Sequence, residues 1–311
     1  MNRVFISCPP FIQQKNDFIP LLKELDIVPT WADTVQQMTE SDLIEILPHF
    51  DGWILGDDPC SEKVLQSGKA GDLKAVVKWG VGTDNIDFKA LEKFNIKFSN
   101  TPSVFGNEVA DLAIGYMIAL ARKLIDVHNS VLNHEWLKPI GISLQNKNVA
   151  IVGFGDIGSQ IARRCEAFDM NISVFEIDLK GSIEIYKNYN FLTWPNNLSE
   201  FDFVILACAL TPKNAGIINA ESLKLMKNGA KIINVSRGGL IVEEDLITAL
   251  SERQISGAAL DVFELEPLPE LSRLRDLDNV IFGTHNASNT FEAVRRASEL
   301  SIQLMKKFLD N

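Results

Sequence analysis

A glycine-rich segment next to an apolar run is the feature that most constrains the fold. The residues Gly153-Phe154-Gly155-Asp156-Ile157-Gly158 follow an apolar run at 149–152 and precede a helical pattern at 159–168. In such a strand–turn–helix unit, the first glycine makes a tight turn, the second admits a pyrophosphate, and the third allows close packing of helix on strand. The helix N-terminus attracts phosphate oxygens. The segment therefore predicts a Rossmann-type unit, and all six residues are candidates for binding a dinucleotide.

Short apolar runs alternate with helical patterns along the chain, which is typical of βαβ units with parallel sheets. One series of these units precedes residue 101, and a second extends from residue 149 to residue 282. Between them, apolar residues at helical spacing predict one long buried helix from Gly106 to about Val127. A last helical pattern at about 290–309 has no strand after it, so we expect it to pack back on the first domain and to tie the chain ends together.

These patterns predict an α/β protein with two Rossmann-like domains built on parallel sheets. We expect a discontinuous, flavodoxin-like substrate domain at residues 1–101 and 287–311, with a dinucleotide-binding Rossmann domain inserted at residues 102–286. A chain of 311 residues is too long for one simple core, which agrees with two domains of ordinary size.

Charge and cysteine content argue against several function classes. The formal net charge of −11 disfavours a nucleic-acid or acidic-membrane partner, because such partners require basic surfaces. The first residues lack the basic and apolar regions of a secretory signal, and no apolar run reaches spanning length, so we expect a cytoplasmic protein. The four cysteines form no Cys-x-x-Cys pair, so we expect buried apolar residues and no metal site.

An acidic residue at the end of the next apolar run indicates which dinucleotide is bound. Glu176 lies eighteen residues after Gly158, and Asp178 follows closely. A carboxylate at this position accepts hydrogen bonds from the adenosine ribose and repels a 2′-phosphate, so the sequence favours NAD over NADP. Asp178 is an alternative for the same role, and a solvated loop acid is the alternative for either residue.

Polar residues follow three later apolar runs, at 234–239, 260–267 and 283–287, where a parallel sheet presents the carboxyl ends of its strands. With these segments, the glycine-rich loop and the run Trp79-Gly80-Val81-Gly82-Thr83-Asp84-Asn85, the chain resembles the D-isomer-specific 2-hydroxyacid dehydrogenase family, of phosphoglycerate or hydroxypyruvate dehydrogenase type. The resemblance covers nearly the whole chain. It implies an NAD-dependent enzyme that transfers a hydride between the nicotinamide ring and C2 of a small D-2-hydroxy or 2-keto acid.

The chemistry of that reaction requires a cation and a proton donor. The cation holds the substrate carboxylate and polarises the carbonyl, and the donor faces the oxygen that becomes negative during hydride attack. We expect Arg237 to supply the cation and His285 to act as acid in reduction and base in oxidation. By resemblance to the family, Glu266 hydrogen-bonds the His285 imidazole and favours its protonated form. We assign no role to the other histidines, which are His49, His128 and His134.

The resemblance implies further ligand contacts. Asp261 matches the family residue that bonds the nicotinamide carboxamide, and we include Ser236 among the cofactor-binding candidates. The backbone N–H groups of Val81 and Gly82 match the turn that grips the substrate carboxylate, together with Arg237.

The chain departs from the family pattern at four places. Thr284 replaces the usual proline before the catalytic histidine, and the remaining replacements are Ala207-Cys208-Ala209 for a His-x-Pro element, Phe105 for an asparagine, and Gly56-Asp57-Asp58 where phosphoglycerate-type members carry arginines. The two carboxylates of the last replacement would disfavour a phosphorylated substrate if they line the cleft.

The sequence leaves two alternative functions open and also predicts a homodimer. A dinucleotide-sensing regulator of the corepressor type and a formate-type dehydrogenase have the same architecture. The long helix from Gly106 to about Val127 is apolar over more than one face, so we expect part of it to pack on a second copy of the chain in a homodimer.

Overall fold

The computed structural model describes residues 1–176 and 189–310. The alternative ribose-binding candidate Asp178 lies outside the described residues. The chain divides into two compact units, the first formed by Met1–Val104 with Asn289–Asn311 and the second by Phe105–Ser288. The first unit ends at residue 104 and resumes at residue 289, whereas the sequence patterns predicted residues 101 and 287.

The described part of the first unit is built on a five-stranded parallel sheet. Its strands are β1 (Asn2–Ile6), β2 (Ile27–Trp31), β3 (Gly52–Leu55), β4 (Ala75–Lys78) and β5 (Lys97–Asn100), in the order β2-β1-β3-β4-β5. This is the flavodoxin-like order, in which the direction of winding changes beside the first strand. Every residue of β3 and β4 is buried, which explains why these strands are continuous apolar runs in the sequence.

Helices cover the sheet of the first unit, and side-chain oxygens fix where three of them begin. The helices are α1 (Pro9–Gln13), α2 (Lys15–Glu24), α3 (Glu40–Ile46), α4 (Glu62–Ala70) and α5 (Phe88–Lys93). Thr39 caps α3, Ser61 caps α4 and Asp87 caps α5, each by accepting a backbone N–H of the first turn.

The described part of the second unit is built on a seven-stranded parallel sheet. Its strands are β6 (Asn148–Val152), β7 (Asn171–Phe175), β8 (Asn190–Leu192), β9 (Phe203–Leu206), β10 (Ala230–Asn234), β11 (Ile255–Leu260) and β12 (Val280–Phe282). The spatial order β8-β7-β6-β9-β10-β11-β12 is the Rossmann order, with its switch point between β6 and β9. Ligands of such sheets bind outside the carboxyl ends of the strands at the switch point. The predicted α/β class with two Rossmann-like parallel sheets is confirmed.

The helices of the second unit are α6 (Gly106–Arg122), α7 (Leu124–Leu132), α8 (Asp156–Glu166), α9 (Ala220–Leu225) and α10 (Glu243–Ser251). The prediction of one long helix from Gly106 to about Val127 was wrong, because Lys123 adopts a left-handed conformation with φ of 53°. The Ala121 carbonyl, which a continuous helix would bond to residue 125, accepts the Ile142 N–H at 2.9 Å instead. A contact from a distant residue therefore ends α6.

The C-terminal helix α11 (Phe291–Asp310) belongs to the first unit and packs on β3, β4 and β5. Its buried face is made largely of small and apolar residues, and Met305 lies directly against Gly52 at the start of β3. Trp79, just after β4, donates its indole N–H to the hydroxyl of Ser298 at 3.0 Å. The last helix thus holds both ends of the chain in one unit. Within the described residues, no helix is both long enough and apolar enough to cross a membrane.

Candidate active site

Two of the three glycines in the loop after β6 are required by the packing of the fold, because a Cβ atom would not fit there. The third glycine faces open space. Gly153 has φ of 95°, and a Cβ there would come within 2.6 Å of the Cys208 Cα atom. A Cβ at Gly158 would overlap the Gly153 carbonyl oxygen. A Cβ at Gly155, by contrast, would have no described atom within 4 Å. The open face beside Gly155, at the N-terminus of α8, fits the approach of a pyrophosphate.

Glu176, at the end of β7, is attached to this loop. Its Oε2 atom accepts the backbone N–H of Phe154 at 2.6 Å. The Phe154 ring makes edge contacts with the rings of Tyr189 and Phe191, which further fixes the loop. A carboxylate held against the glycine loop is placed as the ribose-binding role requires, and its attachment disfavours the alternative of a loop acid that contacts solvent alone.

His285 and Glu266 form a close pair in the second unit. The His285 Nδ1 atom lies 2.7 Å from Glu266 Oε2, and the side chains are 23% and 19% exposed. The other carboxylate oxygen of Glu266 accepts the Phe263 N–H at 2.9 Å, which fixes the orientation of the carboxylate. Because Nδ1 faces Glu266, Nε2 is the ring nitrogen on the side away from the carboxylate. The pair is arranged to stabilise an imidazolium and to deliver its proton from Nε2.

Asp261, at the end of β11, holds the segment that carries the histidine. Its side chain is only 1% exposed, and its two carboxylate oxygens accept the N–H groups of Asn286 at 3.2 Å and Ala287 at 2.8 Å. Its backbone carbonyl accepts the N–H of His285 at 2.6 Å. The sequence suggested contact with the nicotinamide carboxamide for Asp261. The structure gives it an additional task, which is to shape the turn after β12.

Arg237 follows β10 on a turn that Asn234 holds in place. The fully buried Asn234 side chain accepts the Ser236 N–H at 3.1 Å and donates to the Arg237 carbonyl at 2.8 Å. The Ser236 hydroxyl donates to the Cys208 carbonyl, so it reaches the loop after β9 at the switch point. Sequence reasoning included Asn234 in a strand-end segment but missed this role. A buried polar residue that ends an apolar strand is the signal that could have indicated it.

The three proposed catalytic residues come from neighbouring strand ends. Arg237, Glu266 and His285 follow β10, β11 and β12, which are adjacent in the sheet. A Cβ at Gly238 would overlap the Phe263 carbonyl group, so the segment after Arg237 lies directly on the segment that leads to Glu266. The arrangement gathers a cation, a carboxylate and an imidazole at one edge of the sheet.

Val81 and Gly82 lie in the first unit, in the turn that follows β4. Gly80 has φ of 142°, and its N–H donates to the Thr101 hydroxyl at 2.8 Å. The Val81 carbonyl accepts the side-chain amide of Asn100 at 2.9 Å, and the Val81 side chain is exposed. These contacts fix the backbone of an exposed turn, as a carboxylate-binding turn requires.

The sequence left open whether the carboxylates of Asp57 and Asp58 line a cleft, and the structure answers this for Asp58. Asp58 is fully buried and accepts the Ser7 hydroxyl and the Met38 N–H at 2.7 Å each and the Gly56 N–H at 3.1 Å. Burial raises the pKa of its carboxyl group. Asp57 forms an ion pair with the buried Lys78, with 2.9 Å between Oδ1 and Nζ. Asp58 is therefore a structural residue of the first unit.

The described side chains were compared with the arrangements that hold metal ions. Among residues 1–176 and 189–310, no group of three or more His, Cys, Asp or Glu side chains is arranged to hold one.

Comparison with known proteins shows which family the chain is similar to. Residues 114–287 match the family model for the D-isomer specific 2-hydroxyacid dehydrogenase, NAD binding domain. A glyoxylate reductase of Thermococcus onnurineus is 35% identical to the chain, over 91% of the chain and 86% of the relative. The chain belongs to the D-isomer-specific 2-hydroxyacid dehydrogenase family. The D-3-phosphoglycerate dehydrogenase of Synechocystis is 38% identical over 88% of the chain, which spans about half (49%) of that relative's length.

Solved structures also resemble this chain. A protein of Thermus thermophilus matches with a TM-score of 0.87 and 27% identity, covering 99% of this chain and 97% of that chain. The D-lactate dehydrogenase of Escherichia coli matches with a TM-score of 0.82 and 25% identity, covering 97% and 95%. Dehydrogenases of this family use NAD, so the predicted cofactor is confirmed, and the open face of the glycine loop fits it.

The two kinds of glycine in the loop lead to a testable difference. Gly155→Ala should leave the melting temperature unchanged, because the added methyl group meets open space, yet weaken NADH binding at least about tenfold by occupying the pyrophosphate's place. Gly158→Ala should lower the melting temperature, because its methyl group overlaps a backbone carbonyl. Thermal melts and NADH fluorescence titrations measure both effects. Native-like NADH affinity in Gly155→Ala would contradict the proposed binding face.

Proposed function

We propose that this protein is an NAD-dependent dehydrogenase that interconverts a small 2-keto acid and the corresponding D-2-hydroxy acid. The observation that carries the proposal is the 2.7 Å contact between His285 Nδ1 and Glu266 Oε2 in an NAD-binding domain. Glu266 follows β11, which lies between the strand before His285 (β12) and the strand before Arg237 (β10). A polarised imidazole beside a fixed cation is what carbonyl reduction by hydride transfer requires.

The chain's own residues hold the substrate and move the proton. When NADH is bound, C2 of the keto acid would receive its hydride from the nicotinamide ring. The Arg237 guanidinium binds the substrate carboxylate with two parallel hydrogen bonds and polarises the neighbouring carbonyl. His285 gives the Nε2 proton to the carbonyl oxygen as negative charge develops there, and Glu266 stabilises the histidine while it is protonated. In oxidation the same nitrogen removes the hydroxyl proton.

A small, unphosphorylated keto acid is the substrate class that the first unit favours. Lys78 precedes the exposed turn at Val81 and Gly82, to which we assign the substrate carboxylate. The Lys78 ammonium is buried, donates to the Gly56 carbonyl and is paired with Asp57, so its charge is already compensated. A phosphate placed beside this pair would meet the Asp57 carboxylate. We therefore propose glyoxylate, pyruvate or hydroxypyruvate in preference to phosphohydroxypyruvate.

The direct test is NADH oxidation with these four keto acids, each assayed also with NADPH. At least one unphosphorylated acid should be reduced, and NADH should be preferred over NADPH at least about tenfold, because the Glu176 carboxylate repels a 2′-phosphate. NAD reduction by formate would favour the formate-type alternative. If the protein bound NADH but reduced none of the panel and did not oxidise formate, the dinucleotide-sensing regulator would be the better description.

Removal of the proton donor should affect chemistry without affecting cofactor binding. His285→Ala should lower the rate of reduction roughly 10²- to 10⁴-fold, the usual contribution of a positioned acid, with NADH affinity unchanged. Arg237→Lys should raise KM and lower kcat together, because a point charge lacks the bidentate grip. The control is His49→Ala, which removes an exposed histidine of the first unit and should leave turnover unchanged. Near-native turnover by His285→Ala on every accepted keto acid would rule out the assignment.

The carboxylate partner of His285 should reveal itself in the pH profile. Reduction requires the protonated imidazole, so the rate falls as the pH rises and the histidine loses its proton. Glu266→Gln removes the charge that favours the imidazolium, and the pH at which reduction is half-maximal should therefore move to lower values. Steady-state rates of the native protein and of the variant between about pH 5 and 9 measure this shift. A shift to higher pH would show that Glu266 does not stabilise the protonated histidine.

We also propose a homodimer whose contact surface includes the last part of the expected segment 106–127 and continues beyond it. The apolar side of α6 packs on α8, β10 and β11 of its own unit. Exposed apolar side chains instead follow α6, and they are Leu124, Ile125, Val131, Leu132, Trp136, Leu137 and Ile140. Such a concentration of exposed apolar residues is typical of a protein–protein contact surface.

Light scattering can test this surface. The native protein should have twice the mass of one chain at micromolar concentration, whereas Leu132→Lys combined with Trp136→Lys should have the mass of one. The matched control is Leu271→Lys. Leu271 is also an exposed apolar residue of the second unit, with 95% of its surface exposed, but it lies outside the proposed contact surface. A native monomer, or a variant that stays dimeric, would contradict the proposed contact.

A further inference from the structure

A tyrosine of the helix layer reaches the residue that holds the catalytic segment. Tyr116 lies on α6, which packs on β10 and β11, and its hydroxyl donates to Asp261 Oδ1 at 3.3 Å. Burial, and then the nearby Asp261 carboxylate, raise the pKa of the Tyr116 hydroxyl. The hydroxyl therefore stays protonated and acts as a donor throughout the working pH range. In the sequence, Tyr116 is simply one of the apolar residues at helical spacing.

Asp261, which accepts this bond, also contacts three consecutive residues of the segment 285–287 that carries the proposed catalytic histidine. Asp261 binds the N–H groups of Asn286 and Ala287 through its side chain and that of His285 through its backbone carbonyl. His285 has φ of 54°, which is uncommon for a residue with a side chain. Such a conformation persists only when the surroundings hold it. The bonds from Asp261 contribute to holding it here.

Gly283 shows how closely the chain fits over the tyrosine and the aspartate. A Cβ at Gly283 would overlap both Asp261 Oδ1 and the Tyr116 hydroxyl oxygen. The backbone that leads from β12 to His285 therefore lies directly on the two oxygens that share the hydrogen bond. A movement of either oxygen would be passed to a point two residues before the histidine.

We propose that Tyr116 is a positioning residue for hydride transfer, which acts through Asp261 on the backbone that presents His285. The hydroxyl fixes the carboxylate, the carboxylate fixes residues 285–287, and these set where the imidazole meets the substrate. Tyr116 touches neither of the proposed reacting groups. The kinetic part of this inference rests on the proposed function, whereas the effect on the backbone does not.

The test is Tyr116→Phe, which keeps the ring in place and removes only the hydroxyl. Without this donor, the Asp261 carboxylate is held less firmly, and the amides of Asn286 and Ala287 should exchange with solvent deuterium several-fold faster. For a keto acid that the native protein reduces, kcat should fall about fivefold, the effect of losing one ordinary hydrogen bond. KM and NADH affinity should stay within about twofold, and the isotope effect with deuterated NADH should rise because hydride transfer becomes slower.

Two further variants distinguish positioning from general destabilisation. If Tyr116 acts through Asp261, Tyr116→Phe should change kcat little in a protein that already carries Asp261→Ala, because no side-chain acceptor for the hydroxyl remains there. Ser251→Ala is the control for loss of a hydroxyl, since Ser251 donates to Ile247 within α10, away from the site. That variant should leave kcat and the exchange of residues 285–287 unchanged.

The outcomes separate this inference from the proposed function. Failure of the native protein to reduce any acid would contradict the proposed function, and the exchange experiment would still decide the role of Tyr116. An unchanged exchange rate in Tyr116→Phe would overturn the inference. So would an unchanged kcat in an active protein, or fully additive effects of Tyr116→Phe and Asp261→Ala.

Discussion

Close packing at glycines that follow the strands is the constraint on which this site depends. At Gly158, Gly238 and Gly283 a single added methyl group would overlap a carbonyl or carboxylate oxygen. The first contact packs α8 on β6, the second joins the Arg237 and Glu266 segments, and the third lays the His285 segment on Asp261. Side chains that must act together are therefore placed by main-chain packing, which is stiffer than the side chains themselves.

Two carboxylates that follow the same strand perform different tasks because their surroundings differ. Asp261 is buried at the end of β11 and binds backbone N–H groups, so its role is to shape the turn after β12. Glu266 lies five residues further along in a partly exposed segment and has the imidazole of His285 as its partner. The proposed chemistry needs both, because an acid is effective only when it is supplied with a counter-charge and held in a defined position.

The sequence predicts those parts of the fold and site that depend on local pattern. Buried parallel strands are continuous apolar runs, and the glycine spacing encodes a strand–turn–helix unit, so both sheets and the cofactor loop were predictable. The break at Lys123 was not, because it depends on the Ile142 N–H reaching back to Ala121. The burial of Asp58 and the bond from Tyr116 to Asp261 were missed for the same reason, since contacts between residues 51 and 145 positions apart leave no periodic signal.

We propose that Arg237 and His285 act together on one keto acid, while Glu266 bonds the other ring nitrogen of the histidine. A crystal structure with NADH and oxamate, an unreactive analogue of a 2-keto acid, tests it most directly. The account predicts the oxamate carboxylate on the Arg237 guanidinium and its carbonyl oxygen about 3 Å from His285 Nε2, with Nδ1 still on Glu266. Oxamate bound without contact to Arg237, or an imidazole whose Nε2 faces away from it, would contradict the account.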